Sequence, residues 1–173
     1  DVQAPGHYRL HRDGEPGFFR HTPGADSWKR FFFPPRRQTW ALRLDNGVFR
    51  PVSGEETVPR YAIIGARACE LAAVAVQDRV FGGQPYRDDS YRARRAAAFV
   101  VAVHCGQAAA TCFCDAMGTG PRCEQGFDLA LTELVDDEGH RFLLEAGSAR
   151  GADLLAALPT RPASAAECRA AAA

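Results

Sequence analysis

Tyr61-Ala62-Ile63-Ile64-Gly65, the stretch from Arg67 to Phe81, and Phe99-Val100-Val101-Ala102-Val103 decide the fold. The first and last are short, continuous apolar runs, the pattern of strands buried on both faces. Between them Leu71, Val74, Ala75 and Asp78 share one helical face while Val76 and Val80 lie on another, which predicts a mostly buried helix. Gly82-Gly83 ends it. A polar stretch from Asp88 to Ala97 is expected to be helical and to lead into the second strand. Strand, helix, strand is a crossover, so the two strands are expected to be parallel with a right-handed connection.

Upstream, residues 1 to 54 carry the turn chemistry of an antiparallel β region. Gly6, Asp13-Gly14, Pro16-Gly17, Pro23-Gly24 and Asp45-Asn46-Gly47 punctuate short aromatic-rich runs. Trp40 to Leu44 and Gly47 to Val52, flanking Asp45-Asn46, predict a hairpin. Pro34-Pro35 must interrupt any strand through Phe31-Phe32-Phe33. Downstream, residues 104 to 126 are rich in Cys and Gly and are expected to form an irregular functional loop. Phe127 to Leu134 and Arg141 to Glu145 predict a second hairpin, joined across Asp136 to Gly139. Ser148 is placed to cap a helix from Ala149 to Leu158, stopped by Pro159. Ala163 to Ala173 has the composition of an uncapped helix. The fold class is α/β, with α+β as the alternative: a mixed sheet with packed helices, preceded by the antiparallel β region. One domain is expected, with residues 1–54 as that β region and 55–160 as the α/β core. Residues 161–173 form an Ala-rich tail leading towards a further C-terminal part. The initial Asp1 in place of Met suggests a fragment of a longer protein.

Composition narrows the function classes. Lys plus Arg and Asp plus Glu are both 21, so no whole-chain field recruits nucleic acid or an anionic membrane. Lys29 is the only lysine, and the many Arg and Ala residues carry the imprint of a GC-rich coding sequence. Arg-rich patches such as Arg36-Arg37 are therefore discounted as binding signals. No stretch approaches the roughly 18 apolar residues of a membrane span, and no secretory leader is visible.

Six cysteines lie at positions 69, 105, 112, 114, 123 and 168. A disulfide framework is not expected in a chain of this size without a leader, and no C-x-x-C occurs. What remains is Cys105-x6-Cys112-Phe113-Cys114, with Cys69 a strand and a helix turn earlier. Cys69 is expected in the first turn of a helix, where the dipole favours a thiolate. Cys105 directly follows the second buried strand, and in a parallel pair the two C-terminal ends are neighbours at the edge where ligands of α/β sheets sit. An extended Cys112-Phe113-Cys114 would put both sulfurs on one face, with Phe113 limiting water. Four convergent thiolates suit a [4Fe–4S] cluster or Zn²⁺, and spacing does not choose between them. The bland alternative is buried free thiols, and for Cys123 and Cys168 that reading is preferred.

Several stretches together resemble a known family. They are Lys29 to Pro35, Gly65-Ala66-Arg67-Ala68-Cys69-Glu70-Leu71, Asp78 to Phe81, Cys112-Phe113-Cys114-Asp115-Ala116-Met117-Gly118-Thr119-Gly120-Pro121 and Gly126 to Glu133. In this order, over roughly residues 25 to 160, they resemble the beta-subunit family of sulfhydrogenases, which includes an iron–sulfur subunit of anaerobic sulfite reductase. The resemblance implies a cytoplasmic iron–sulfur protein that passes electrons between two partners. One is a flavin/nicotinamide-binding subunit; the other is a catalytic hydrogenase or sulfite reductase subunit. It carries Cys69, Cys105, Cys112 and Cys114 over as candidate ligands of one [4Fe–4S] cluster, with substrate chemistry left to the catalytic partner. The family's C-terminal dicluster segment, with C-x-x-C-x-x-C repeats, is not in this sequence.

Other patterns carry less. Gly118-Thr119-Gly120 lacks the Lys-Ser/Thr of a phosphate loop and is expected to support the cysteine loop. Ile63 to Arg67 has one glycine of a nucleotide-binding βα turn, which keeps a flavin- or nucleotide-binding domain as a further alternative. A non-redox docking module holding structural zinc or free thiols is the other. His104 is expected to be a satisfied histidine at a strand end. His7, His11 and His21 receive no chemistry, and Asp128 and Glu133 are not expected to form an acid/base pair.

Overall fold

The computed structural model describes residues 2–4, 6–12, 14–24, 26–52 and 57–172. The predicted turn position Asp13, the end of the β region at residues 53–54 and the last residue of the tail lie outside the described residues.

Strand β1 (Val2–Ala4) pairs with β2 (His7–Arg9), and a four-residue helix α1 (Lys29–Phe32) follows. The Phe31-Phe32-Phe33 run is thus largely a helical turn ahead of Pro34-Pro35, not strand. Its reason is packing: Phe32 points inward and is 2% exposed. β3 (Ala41–Asp45) and β4 (Val48–Val52) form the expected hairpin, closed by Asn46-Gly47, one position later than Asp45-Asn46.

The core is one four-stranded sheet in the order β5 (Ala62–Ala66), β6 (Phe99–Val103), β7 (Leu129–Asp136), β8 (Gly139–Ala146). β5 and β6 are parallel, β6 and β7 are parallel, and β7 and β8 form the antiparallel hairpin. The sheet is mixed and the architecture α/β, with helices packed on it. Because β7 runs parallel to β6, the chain must return from the end of β6 to the start of β7. Residues 104–126 make that return, so the cysteine loop is itself a crossover.

Helix α2 (Ala68–Gly82) follows β5, and α3 (Asp89–Ala97) leads into β6. Asp88 caps α3 by accepting from the Tyr91 N–H at 2.9 Å. Tyr91, 1% exposed, packs edge-on to Phe32, and its hydroxyl donates to Asp78 at 2.5 Å. Two expectations about burial fail here. Ile64 is 58% exposed, because β5 is an edge strand with one free face. Val76 and Val80 are 48% and 58% exposed, so α2 buries only the stripe through Ala68, Leu71 and Val74. Alanines and valines all round a helix raise its hydrophobicity without specifying a second packing face.

Ser148 caps α4 (Ala149–Ala157), accepting from the Gly151 N–H at 3.1 Å. The tail forms α5 (Ala165–Ala172), and contrary to expectation it is capped. The Ser164 hydroxyl accepts from the Glu167 N–H at 3.2 Å, and the Glu167 carboxylate accepts from the Ser164 N–H at 2.8 Å. Among the described residues no helix is long and apolar enough to cross a membrane.

Candidate cysteine site

At the C-terminal end of β5 the backbone makes a bulge. Ile64 faces Val101 and Ala66 faces Ala102, with Gly65 left over at φ +91°. That conformation suits glycine, and the bulge re-aims the chain. Ala66, Arg67 and Ala68 are buried in succession, at 2%, 2% and 5% exposure. Cys69 therefore stands in the first turn of α2, as expected, two residues after a buried arginine.

Cys105 follows β6 by two residues and lies beside this turn. Its N–H donates to the Pro121 carbonyl at 3.3 Å, tying the start of the loop to its end. Cys112 and Cys114 sit in a run of turns, not in an extended segment. The Cys112 N–H donates to the Ala109 carbonyl, the Gly118 N–H to Asp115, and the Thr119 N–H to Cys114 at 2.9 Å. The Ala109 N–H in turn donates to the Cys112 sulfur at 3.3 Å. Phe113 is 71% exposed and points to solvent, so it does not limit water as expected. The turns that fold the loop back leave it on the outside.

The thiols are close enough to act on one another electrically. Burial pushes the Cys69 thiol up, and the charges of Glu70, Cys105 and Cys114 add to that. Burial also pushes Cys105 up; Arg67 pulls it down, and Cys114 and Cys112 oppose Arg67. At Cys69, an exposed residue, desolvation and the neighbouring charges raise the thiol pKa where a lowered one was expected. Cys123 is nearer the group than its spacing suggested. It is 4% exposed, its thiol is pushed up to about 12 by burial and then by Cys105, and its sulfur lies 3.7 Å from the Val103 carbonyl. It is a buried packed thiol. Cys168 is exposed on α5, away from the group.

Gly120 closes the loop. A Cβ there would stand 3.0 Å from the Ala68 Cβ and 3.2 Å from the Cys114 sulfur. The Gly118-Thr119-Gly120 turn thus supports the cysteine loop by close approach. The nucleotide reading of Ile63 to Arg67 loses its anchor for a similar reason. The Glu70 carboxylate accepts from the Arg67 N–H at 3.1 Å and occupies the N-terminus of α2, where a phosphate would need to sit.

His104 is the satisfied histidine its position predicted. Its Nδ1 accepts from the Cys123 N–H at 2.9 Å, so the proton lies on Nε2, which donates to Glu145 at 3.1 Å. Burial lowers its pKa below the ordinary value. Arg122 completes the chain with two 2.7 Å bonds to the Glu145 carboxylate. Asp128 and Glu133 are structural: Asp128 accepts from the Val100 N–H at 2.8 Å and from the Ser148 hydroxyl at 2.6 Å. Glu133 accepts from the Phe18 and Phe19 N–H groups at 2.5 and 2.9 Å, holding the segment before α1 against β7.

Arg67 is the residue that spacing did not single out. Its guanidinium donates to the carbonyls of Phe19 at 2.7 Å, His21 at 2.9 Å and His104 at 3.4 Å, and it lies over the Phe19 ring. A lone arginine between a strand and a helix carries no periodicity signal. The bulge at Gly65, which turns it inward, looks in the sequence like the end of the strand.

Among the described residues no three His, Cys, Asp or Glu side chains stand close enough to share one metal ion. No family model matches the chain, and no solved structure matches it. Sulfhydrogenase 2 subunit beta of Pyrococcus furiosus is 29% identical over 123 residues, which cover 71% of this chain and 33% of that relative. The chain thus spans about a third of the length of the relative it matches. The similarity supports a relationship to hydrogenase beta subunits.

Proposed function

We propose that this chain holds one [4Fe–4S] cluster between Cys69, Cys105, Cys112 and Cys114 and serves in electron transfer within a hydrogenase- or sulfite-reductase-like complex. The observation that supports this most is convergence. Thiols from the α2 N-terminus, the end of β6 and the return loop act on one another electrically near the C-terminal ends of a parallel pair. Soft sulfur donors at a sheet's ligand-binding edge suit an iron–sulfur cluster. A cubane takes one thiolate per iron, so its four sulfurs need not crowd around a single ion as in a zinc site. The close approach at Gly120 keeps Cys114 and Ala68 packed together, as a cradle for such a group requires.

When bound, the cluster supplies a one-electron couple. The protein's own residues do the rest. Arg67 and the Cys105–Pro121 bond fix Cys105, while the His104–Glu145–Arg122 chain anchors the loop's return beside Cys123. The partners in this reading are a flavin/nicotinamide-binding subunit together with a catalytic subunit, in the cytoplasm, with substrate chemistry in the latter. The test is the visible spectrum of anaerobically reconstituted protein with Cys69, Cys105, Cys112 or Cys114 replaced one at a time by Ser. Loss of the broad iron–sulfur absorption in each variant, and its retention in Cys168→Ser, is the expected result. A colourless parent protein that binds zinc stoichiometrically would move the function to a docking module.

A further inference from the structure

Arg67 is 2% exposed, and a guanidinium does not shed its proton in a protein. Burying it among neutral carbonyls is costly unless a counter-charge is near. Among the described residues no carboxylate lies within ion-pair distance of it. The nearest acid, Glu70, is turned to the α2 N-terminus, bonded to the Arg67 N–H, and burial pushes its carboxyl up. The guanidinium's hydrogen bonds all go to carbonyls, and one of them, His104, is the residue before Cys105, on whose thiol the Arg67 charge acts. Cys69 follows two residues along the same turn. The positive charge therefore lies next to Cys105, and it also acts on Cys123.

We propose that Arg67 is the built-in counter-charge of the cysteine site: it stabilises an anionic thiolate-ligated cluster and raises its reduction potential. This rests on the cluster reading above. The physical reason is that such a cluster with four thiolates is negatively charged and gains another negative charge on reduction. A fixed buried cation favours the reduced form more than the oxidised one. Arg67 is a positioning residue, since it binds no iron itself. Its hydrogen bonds to Phe19 and His21 hold that segment over the guanidinium, which keeps water from screening the charge.

The experiment uses the full chain, reconstituted anaerobically, as parent, Arg67→Lys, Arg67→Gln and Glu70→Gln. Iron content, circular dichroism and a redox titration followed by electron paramagnetic resonance are measured on each. Arg67→Lys should keep a midpoint near the parent's. Arg67→Gln should shift the reduction equilibrium about tenfold against reduction, ~59 mV more negative for one electron. A folded Arg67→Gln that takes up no iron, while Arg67→Lys does, reports the same dependence on charge. Full iron with an unchanged midpoint in Arg67→Gln would overturn the proposal and leave the cluster reading intact. So would equal loss of iron from folded Arg67→Lys and Arg67→Gln, which assigns the effect to the donor fork. If Arg67→Gln does not fold, Glu70→Gln decides: removal of the nearest negative charge should raise the midpoint, and an unchanged value would overturn the inference. A parent without iron defeats the cluster reading before any variant is compared.

Discussion

The two ends of the parallel pair β5–β6 each set an arginine against main-chain carbonyls and a phenylalanine ring, and they complete it differently. At the N-terminal end Arg150 donates to the Ala96 and Ala98 carbonyls at 3.3 and 3.0 Å and lies over Phe99. It is half-exposed and has the Asp128 carboxylate at 4.0 Å. Asp128 in turn satisfies Val100 and Ser148, so the polar groups of this end are paired. At the C-terminal end Arg67 makes the same kind of contacts but is fully buried, and its charge acts on the Cys105 thiol in place of a carboxylate. One end is closed by protein groups alone. The other keeps a buried guanidinium without a carboxylate in ion-pair distance among the described residues, and under the proposed cluster reading an anion from outside the chain would complete it.

That contrast can be broken by substitution. The largest effect is expected at the closed end. A Cβ at Gly151 would stand 1.7 Å from the Asp128 carbonyl oxygen, so Gly151→Ala must displace α4 from the backbone just ahead of β7. A loss of about 4 kcal/mol or more is expected, read as loss of the cooperative thermal transition. Asp128→Ala comes next, at about 2–3 kcal/mol, because it strands the buried Val100 N–H and frees Ser148. Urea unfolding measures it, and a cost under about 0.5 kcal/mol would show that this end is not closed as described.

A smaller effect is expected where residues 18–22 meet the sheet. Burial alone would raise the Glu133 carboxyl, but the Phe18 and Phe19 N–H groups and His140 outweigh it and hold it below the usual range. A carboxyl depressed in the folded state stabilises above its ordinary pKa and loses that contribution as pH falls through the lowered one. The protection factors of the Phe18 and Phe19 amides against hydrogen exchange, taken relative to the intrinsic rate at each pH, should fall in acid below the ordinary glutamate pKa, and Glu133→Gln should abolish that pH dependence. The smallest effect on stability belongs to the open end. Cys112 is exposed, so Cys112→Ser should change metal-free stability by less than about 0.5 kcal/mol while removing iron binding. A large loss of metal-free stability would mean that the loop is structural.

Much of this was legible in the residues. The apolar runs at 61–65 and 99–103 and the helix between them declare a parallel crossover, and Asp45-Asn46-Gly47 and Ser148 announce a turn, to within one position, and a cap through local chemistry. Burial was harder to read. Ile64, Val76 and Val80 look like core residues, yet an edge strand and a one-sided helix leave them exposed, since periodicity does not reveal which faces find partners. The parallel docking of β7 on β6 is a long-range choice with no local signal. The cysteine group was visible through spacing, but Cys123 joined its neighbourhood only because the return crossover brings it beneath Cys105. Arg67 was hidden because one bulge at Gly65 decides whether its side chain faces water or the core.

Whether an iron–sulfur cluster completes the open end is decided by iron and acid-labile sulfide analysis of the anaerobically purified and reconstituted chain. About four of each per chain are expected. No iron after anaerobic reconstitution would contradict the cluster and leave the open end without its anion.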